Sequence, residues 1–267
     1  MTMLDGSLQT RVIEVAHSRR LLVASDYDGT LSTIVRDRER AIPVEGVREA
    51  LHILAALPDT HVALISGRGR GDLGRVSGLG APIELIGSHG VEFEHGFDPP
   101  LTTAQQTLQR ELKEELMGLC GRFPALTCEV KPGSLAIHYR DAPIEQTAAA
   151  LDAIDRGPAR RAGVQIRQGL EVVELTVVSG TKGDAIRRLQ DFHDATATVF
   201  IGDDVTDEDG FDALGHTDLS VKVGPGETKA RHRVVTPSDV SELLRVIGVA
   251  REEAFTRSGR LDLGPVN

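Results

Sequence analysis

The sequence predicts an α/β chain: a Rossmann-like parallel-sheet core with a smaller αββαββ domain inserted into it. Three observations carry that prediction. Short apolar runs at 21–25, 61–65, 83–86 and 198–201 each end on a loop bearing Asp, Ser or Gly, as buried parallel strands do. A stretch of helical apolar spacing at 46–57 (Val47, Ala50, Leu51, Leu54) stands between the first two runs. The texture then changes between about 103 and 178 and returns to the first pattern after Ser179-Gly180.

The core is therefore read as discontinuous, residues 1–102 and 179–267, with the inserted domain at 103–178. Residues 95–103 carry Gly96, Pro99 and Pro100 and read as a linker. In the insert, Leu108, Leu112, Leu116 and Leu119 define a helix over 104–119. Strands follow at 126–131 and 135–139, split by Pro132-Gly133, then a helix at 144–154. Two further strands, 164–167 and 172–177, are split by Gly169. This order builds a small sheet with its helices on one face. Back in the core, a helix is expected over 182–192 and a last one over 240–247, where Val240, Leu243, Leu244 and Ile247 share a face.

Composition narrows the function classes. A net charge of −10 is a poor match to nucleic acid or anionic membranes, and 3% aromatics without Trp leaves little for stacking bases. Cys120 and Cys128 have no zinc-ligand spacing and read as unpaired thiols in a reducing compartment. The first twenty residues lack a signal peptide's apolar run, and no stretch approaches ~18 apolar residues. The expectation is a cytoplasmic protein with no nucleic-acid or membrane partner. Nothing in the sequence sets the oligomeric state.

Four segments carry chemistry. Asp26-Tyr27-Asp28-Gly29-Thr30 follows the first strand and aims two carboxylates at one pocket beyond its carboxyl end. Gly202-Asp203-Asp204-Val205-Thr206-Asp207-Glu208-Asp209 follows another strand, and its crowded carboxylates call for a cation. Oxygen-only ligands with no competing His or Cys cluster suit Mg²⁺. Ser66, in Ile65-Ser66-Gly67-Arg68, offers a hydroxyl and adjacent backbone N–H groups to phosphate oxygens. Lys182 opens a helix, where an anion is favoured. The types match a division into nucleophile, acid/base, oxyanion holders and metal ligand.

Taken together and in this order, the four segments resemble the motifs of the haloacid dehalogenase superfamily of phosphatases, and the αββαββ insert resembles the cap of its sugar-phosphatase branch. GDDVTDEDGF, Gly87-Ser88-His89-Gly90-Val91-Glu92, Glu129-Val130-Lys131 with His138-Tyr139-Arg140, Glu174, and 223–230 are similar to the trehalose-6-phosphate phosphatase family across roughly 21–244. The resemblance implies trehalose 6-phosphate as substrate and the last step of trehalose biosynthesis. It makes Asp26 the nucleophile and Asp28 the acid and then the base. It has Mg²⁺ held by Asp26, the Asp28 carbonyl and Asp203, and phosphate oxygens held by Ser66 and Lys182. Substrate contacts are implied for Gly67, Arg68, His89, Gly90, Glu129, Lys131 and Glu174, the last three reading the sugar. The connections at 95–103 and 179–180 are then hinges for the cap. The chain departs from the family at Thr176-Val177, where Arg-Pro is usual. Glucosylglycerol, mannosylglycerate and sucrose phosphates remain alternative substrates. A phosphosugar sensor without catalysis is a further alternative, disfavoured because binding alone needs neither Asp26 nor Asp28.

Overall fold

The computed structural model describes residues 5–35, 37–169 and 171–257; Leu170, in the stretch leading to Glu174, lies outside them. The chain separates into two compact units, Met1–Gly90 with Thr181–Asn267, and Val91–Gly180. Residues 91–102 and 179–180, set with the core in the sequence reading, fall in the second unit. Val91, Phe97, Leu101 and Val178 pack with that unit's apolar cluster, so the Pro- and Gly-bearing stretch carries core residues of the insert.

The first unit opens with α1 (Gly6–Ala16), β1 (Leu21–Ser25), α2 (Val47–Ala56), β2 (Thr60–Ile65), α3 (Arg70–Ser77) and β3 (Glu84–Ile86). The second holds β4 (Glu92–Phe93), β5 (Gly96–Phe97), α4 (Thr103–Arg122), β6 (Thr127–Lys131), β7 (Ser134–His138), α5 (Ile144–Arg156), β8 (Gln165–Gly169) and β9 (Val172–Thr176). The chain then returns through α6 (Lys182–Phe192), β10 (Ala197–Gly202), α7 (Glu208–Asp212), β11 (Leu219–Val223), β12 (His232–Val234) and α8 (Pro237–Arg257).

The core sheet runs β12-β11-β10-β1-β2-β3 and is parallel throughout. Every residue of β1 is buried, as a central strand covered on both faces requires. The order reverses direction at β1: β2 and β3 lie on one side, β10 to β12 on the other. Ligands bind outside the carboxyl ends of strands at such a switch point, and Asp26, Ser66 and Asp203 all follow strands that meet there. Several elements carry weaker sequence signals. In α1, Leu8, Val12 and Val15 are buried at helical spacing behind an Asp5 cap. Helix α3 has two glycines and few apolar residues in eight. In β11 the run of apolar residues is broken by a buried Lys222. Helix α8 continues well past 247 because Gly248, Arg251 and Phe255 extend its buried stripe.

The second unit has a four-stranded antiparallel sheet, β6-β7-β9-β8. The period of two divides it cleanly. Leu135, Ile137, Val173 and Leu175 pack on Leu112, Leu116 and Leu119 of α4 and on Ala150 and Ile154 of α5. Both helices therefore cover one face. The other face carries the cross-strand row Glu129–Ala136–Glu174–Arg167 and beside it Lys131–Ser134–Thr176–Gln165. Among the described residues, no helix is long and apolar enough to cross a membrane.

One buried side chain ties the base of the core together. Arg251, 1% exposed, donates to the carbonyls of Ala16 at 2.9 Å and Asp59 at 2.7 Å, to the Ser18 carbonyl, and to Thr60 Oγ1 at 3.1 Å. Its guanidinium lies 4.5 Å from the Phe255 ring centroid. It thereby joins α8 to the end of α1 and the start of β2. Arg251→Met keeps the apolar stem but removes the donor that these acceptors share, although the Asp59 carbonyl keeps the Leu21 N–H. It should lower unfolding stability by about 3 kcal/mol, measured by urea denaturation.

Candidate active site

The site is built at the carboxyl ends of β1, β2 and β10. Asp26 leaves β1 with its N–H bonded to the Ile201 carbonyl at 2.8 Å, so its backbone stays in the sheet while its side chain turns into the cleft. Gly29 then takes φ +83°, and a Cβ there would lie 2.1 Å from Asp203 Oδ2. Glycine is needed on both counts: it makes the turn and lets the Asp203 carboxylate lie against the loop. Asp203 is held on its other oxygen by the Thr30 hydroxyl at 2.8 Å.

Lys182 lies at the centre. It is 2% exposed, and its Nζ is 2.8 Å from Asp26 Oδ1 and 2.7 Å from Asp207 Oδ1. Its position follows from a reciprocal cap at the start of α6. Thr181 Oγ1 accepts from the Asp184 N–H at 3.1 Å, and Asp184 Oδ2 accepts from the Thr181 N–H at 3.0 Å. Such a box fixes the first turn, and Lys182 is its first residue. Asp207 is fully buried. Its second oxygen accepts from the N–H groups of Asp203 and Asp204, both at 2.9 Å, so this carboxylate shapes the acidic loop as well as holding the lysine.

Electrostatics follow from burial. Burial pushes the Asp26 carboxyl well above the usual carboxylate range; Lys182 opposes the rise, while Asp207 and Asp203 add to it. Asp203 is pushed up to about 6, chiefly by burial, against the Thr30 hydrogen bond and with Asp207 adding to the rise. For Lys182, burial acts downward, yet the Asp207 and Asp26 carboxylates outweigh it and hold the ammonium above its ordinary value. Asp26, Asp203 and Asp207 bring ligand oxygens within 4.8 Å of one another. Three carboxylates against one ammonium leave uncompensated negative charge, and the donors are all hard oxygens. The set fits a divalent cation of the Mg²⁺ type. With both Asp207 oxygens committed to protein donors, Asp26 and Asp203 are the carboxylates best able to hold it.

Around this centre, Ser66 is buried, and its Oγ accepts from the Arg68 N–H at 3.2 Å. The loop after β3 is laced to it: the His89 N–H bonds the Ser66 carbonyl at 2.9 Å, and the Ser88 N–H bonds the Arg68 carbonyl at 2.7 Å. Ser88 and His89 adopt positive φ, an uncommon state for residues with side chains. The His89 ring occupies the space a Cβ on Gly67 would need, 2.6 Å away, and Gly90 passes the Thr181 carbonyl closely enough to exclude a Cβ at 2.5 Å. Arg68, 1% exposed, points its guanidinium at Asp28, with Nε–Oδ2 and Nη2–Oδ1 both 2.7 Å.

In the second unit, Lys131 and Glu174 are both buried and 3.1 Å apart, and Glu174 also accepts from the Ser134 hydroxyl. Glu129 pairs with His138 Nε2 at 2.8 Å. All five lie on the polar face of the sheet. At the Thr176-Val177 departure, the Thr176 hydroxyl bonds the Gly133 carbonyl at 3.1 Å, anchoring the chain as it leaves β9.

The structure adds residues the sequence left without a stated role. Asp207 was in view only as one more acid of its loop; complete burial and three donors set it apart. Lys222 of β11 donates to the Asp203 carbonyl, placed there because it lies opposite Gly202 in the sheet register. A lysine inside an apolar strand was the available signal. Glu208 accepts from Thr228 Oγ1 at 2.8 Å and the Lys229 N–H at 2.7 Å, which joins the acidic loop to the segment 223–230.

A family model described as trehalose-phosphatase matches residues 24–241. The bifunctional trehalose-6-phosphate synthase/phosphatase of Thermoproteus tenax is 35% identical over 233 residues, 83% of this chain and 31% of that one. A trehalose-phosphate phosphatase of Mycobacterium marinum is 33% identical over 239 residues, 84% of this chain and 60% of that one. The chain thus spans less than two thirds of the length of these curated relatives. The C-terminal domain of the Candida albicans trehalose-6-phosphate phosphatase shares the fold, with a TM-score of 0.76 at 22% identity, covering 93% of this chain and 98% of that one. With the family model spanning β1 to α8 and every motif of the site inside it, this chain belongs to the trehalose-phosphatase family of the haloacid dehalogenase superfamily.

Proposed function

We propose that this chain hydrolyses trehalose 6-phosphate to trehalose and phosphate through an aspartyl-phosphate on Asp26. The observation that carries the reading is the Asp26 carboxylate at the end of β1, with one oxygen held by Lys182 at 2.8 Å and Asp203 beside it. Lys182 and the bound cation would hold Asp26 ionised against its burial, and an ionised carboxylate needs no deprotonation to attack phosphorus. Asp26 Oδ2 forms the new P–O bond as the bond from phosphorus to the sugar oxygen breaks, and Asp28 delivers a proton to that oxygen. Asp28 then takes a proton from the water that displaces Asp26, which regenerates the carboxylate. Ser66 and Lys182 hold the equatorial phosphate oxygens, where transition-state charge collects. Mg²⁺, held by Asp26, Asp203 and the Asp28 carbonyl, would supply positive charge against the incoming phosphate.

The sugar is read by Glu129, Lys131 and Glu174. These carboxylates accept from hydroxyls and the lysine donates, and a site built for such pairs rejects ligands that leave them unpaired. Lys131 and Glu174 also pair with each other, so a conservative change is the better probe than truncation.

Metal dependence, the Asp26 variant and the sugar contacts each test the reading. In chelated protein, Mg²⁺ should raise the melting temperature and restore phosphate release. Asp203→Asn should lose the thermal shift, and Asp26→Asn should release no phosphate and form no fluoroberyllate adduct. Glu129→Gln and Glu174→Gln should each lower kcat/KM for trehalose 6-phosphate by between about tenfold and a hundredfold. Both should leave p-nitrophenyl phosphate hydrolysis within about twofold of the parent. A panel of other disaccharide phosphates measures the preference directly.

A further inference from the structure

We propose that Asp72 is a positioning residue for Asp28, acting through Arg68; this rests on the assignment of Asp28 as acid and base. Arg68 meets both oxygens of Asp28 through Nε and Nη2, each at 2.7 Å. The same guanidinium is gripped from its other side. Nη1 bonds Asp72 Oδ2 at 2.7 Å, and Nη2 also reaches the Arg38 carbonyl at 3.0 Å. Asp72 Oδ1 in turn receives Arg75 at 2.5 Å, and Arg75 pairs with Glu39. Glu39 is one residue from Arg38. The contacts therefore close a ring from Arg68 through Asp72, Arg75 and residues 38–39 back to Arg68. The Tyr27 ring lies 5.8 Å from the guanidinium, and its hydroxyl donates to the Ala41 carbonyl at 2.5 Å.

The ring does two things to Asp28. A planar fork meeting both carboxylate oxygens fixes the plane and the position of the group. Both oxygens act as acceptors, and each keeps a further lone pair on which the proton for a leaving oxygen can be carried. The fork sets the direction of that lone pair, and Asp72 with the Arg38 carbonyl keeps the fork from turning with the carboxylate. With Asn at 72, Nη1 meets a neutral acceptor in place of a charged one, so the guanidinium is held more weakly and can swing with Asp28.

A plain stabilising role predicts something different. Asp72 is about a third exposed, Arg75 about half and Glu39 about two thirds. The Arg75 pairs, this wet, contribute little to folding, and the buried Arg68 guanidinium keeps Asp28 and the Arg38 carbonyl when Asp72 is changed. Asp72→Asn should therefore leave the melting temperature nearly unchanged, and its effect should lie in the proton-transfer steps.

The experiment is rapid quench with p-nitrophenyl phosphate, whose phenolate leaves without a proton, beside trehalose 6-phosphate, whose alkoxide needs one. In Asp72→Asn the nitrophenolate burst should keep its rate within about twofold. Steady-state turnover should fall about tenfold, part of the ~10²–10⁴ that acid–base catalysis contributes, and phosphoenzyme should accumulate. Phosphorylation by trehalose 6-phosphate should slow by about the same factor. In the Asp28→Asn background, Asp72→Asn should add nothing. Burst and steady state slowed alike, or a further loss in the Asp28→Asn background, overturns the proposal and leaves the covalent reading standing. A wild-type protein that forms no phosphoenzyme overturns both.

Discussion

The buried Lys182 ammonium between Asp26 and Asp207 is the interaction on which the rest of the site depends. Taking an ammonium and two carboxylates out of water costs several kcal/mol per ion, and the arrangement persists only where geometry and further hydrogen bonds offset that cost. Here the geometry comes from the Thr181–Asp184 cap, which fixes the first turn of α6. The further hydrogen bonds come from the N–H groups of Asp203 and Asp204 onto Asp207. Disturbing the lysine therefore disturbs the acidic loop, because Asp207 is shared by both. The charge balance at Asp26 follows as well: burial and two neighbouring carboxylates work against its ionisation, and one ammonium works for it.

The second unit solves a related problem by periodicity. An antiparallel sheet shows alternate residues to opposite faces, so one chain segment can supply an apolar face to α4 and α5 and a polar face of acids, lysine, serine and histidine. Glu174 lies between Val173 and Leu175, both in the apolar cluster. A shift of one residue in the pairing of β9 would bury Glu174 among leucines and expose that apolar pair. The apolar packing thus also fixes which polar groups stand in the row with Glu129 and Arg167.

Much of this was legible in the sequence, and the exceptions share a cause. The strands that end in chemistry were visible because apolar runs stop abruptly at Asp, Ser or Gly. Helix α6 was visible because its lysine follows a Ser-Gly-Thr turn and precedes a periodic run. Helix α3 and strand β12 were hidden because short elements in which charged and polar residues outnumber the apolar ones have no apolar period to detect. Helix α8 looked too short because Arg251 occupies a core position, where its guanidinium is satisfied by backbone carbonyls more than two hundred residues upstream or nearly so. The boundary of the insert was displaced because Gly and Pro mark turns, whether or not a domain ends there. In the site, the roles of Asp207, Lys222 and Arg68 depend on partners far away in the chain, and no local pattern encodes a partner.

A chain with a net charge of −10 nevertheless gathers three acids of the first and last motifs at one sheet edge. It does so by giving each its own counter-group from a different element. Asp26 has Lys182 from α6, Asp28 has Arg68 from the loop after β2, and Asp203 has the Thr30 hydroxyl on its carboxylate and Lys222 of β11 on its carbonyl. These partners differ in kind for physical reasons. A point charge on Asp26 Oδ1 leaves its second oxygen open, as the proposed attack on phosphorus needs. A planar fork on Asp28 takes both oxygens and sets an orientation. A neutral hydroxyl on Asp203 leaves its negative charge uncancelled, which a divalent cation requires. Exchanging lysine and arginine at either place would therefore not be conservative: a fork at Lys182 would occupy both Asp26 oxygens, and a point charge at Arg68 would leave Asp28 free to turn.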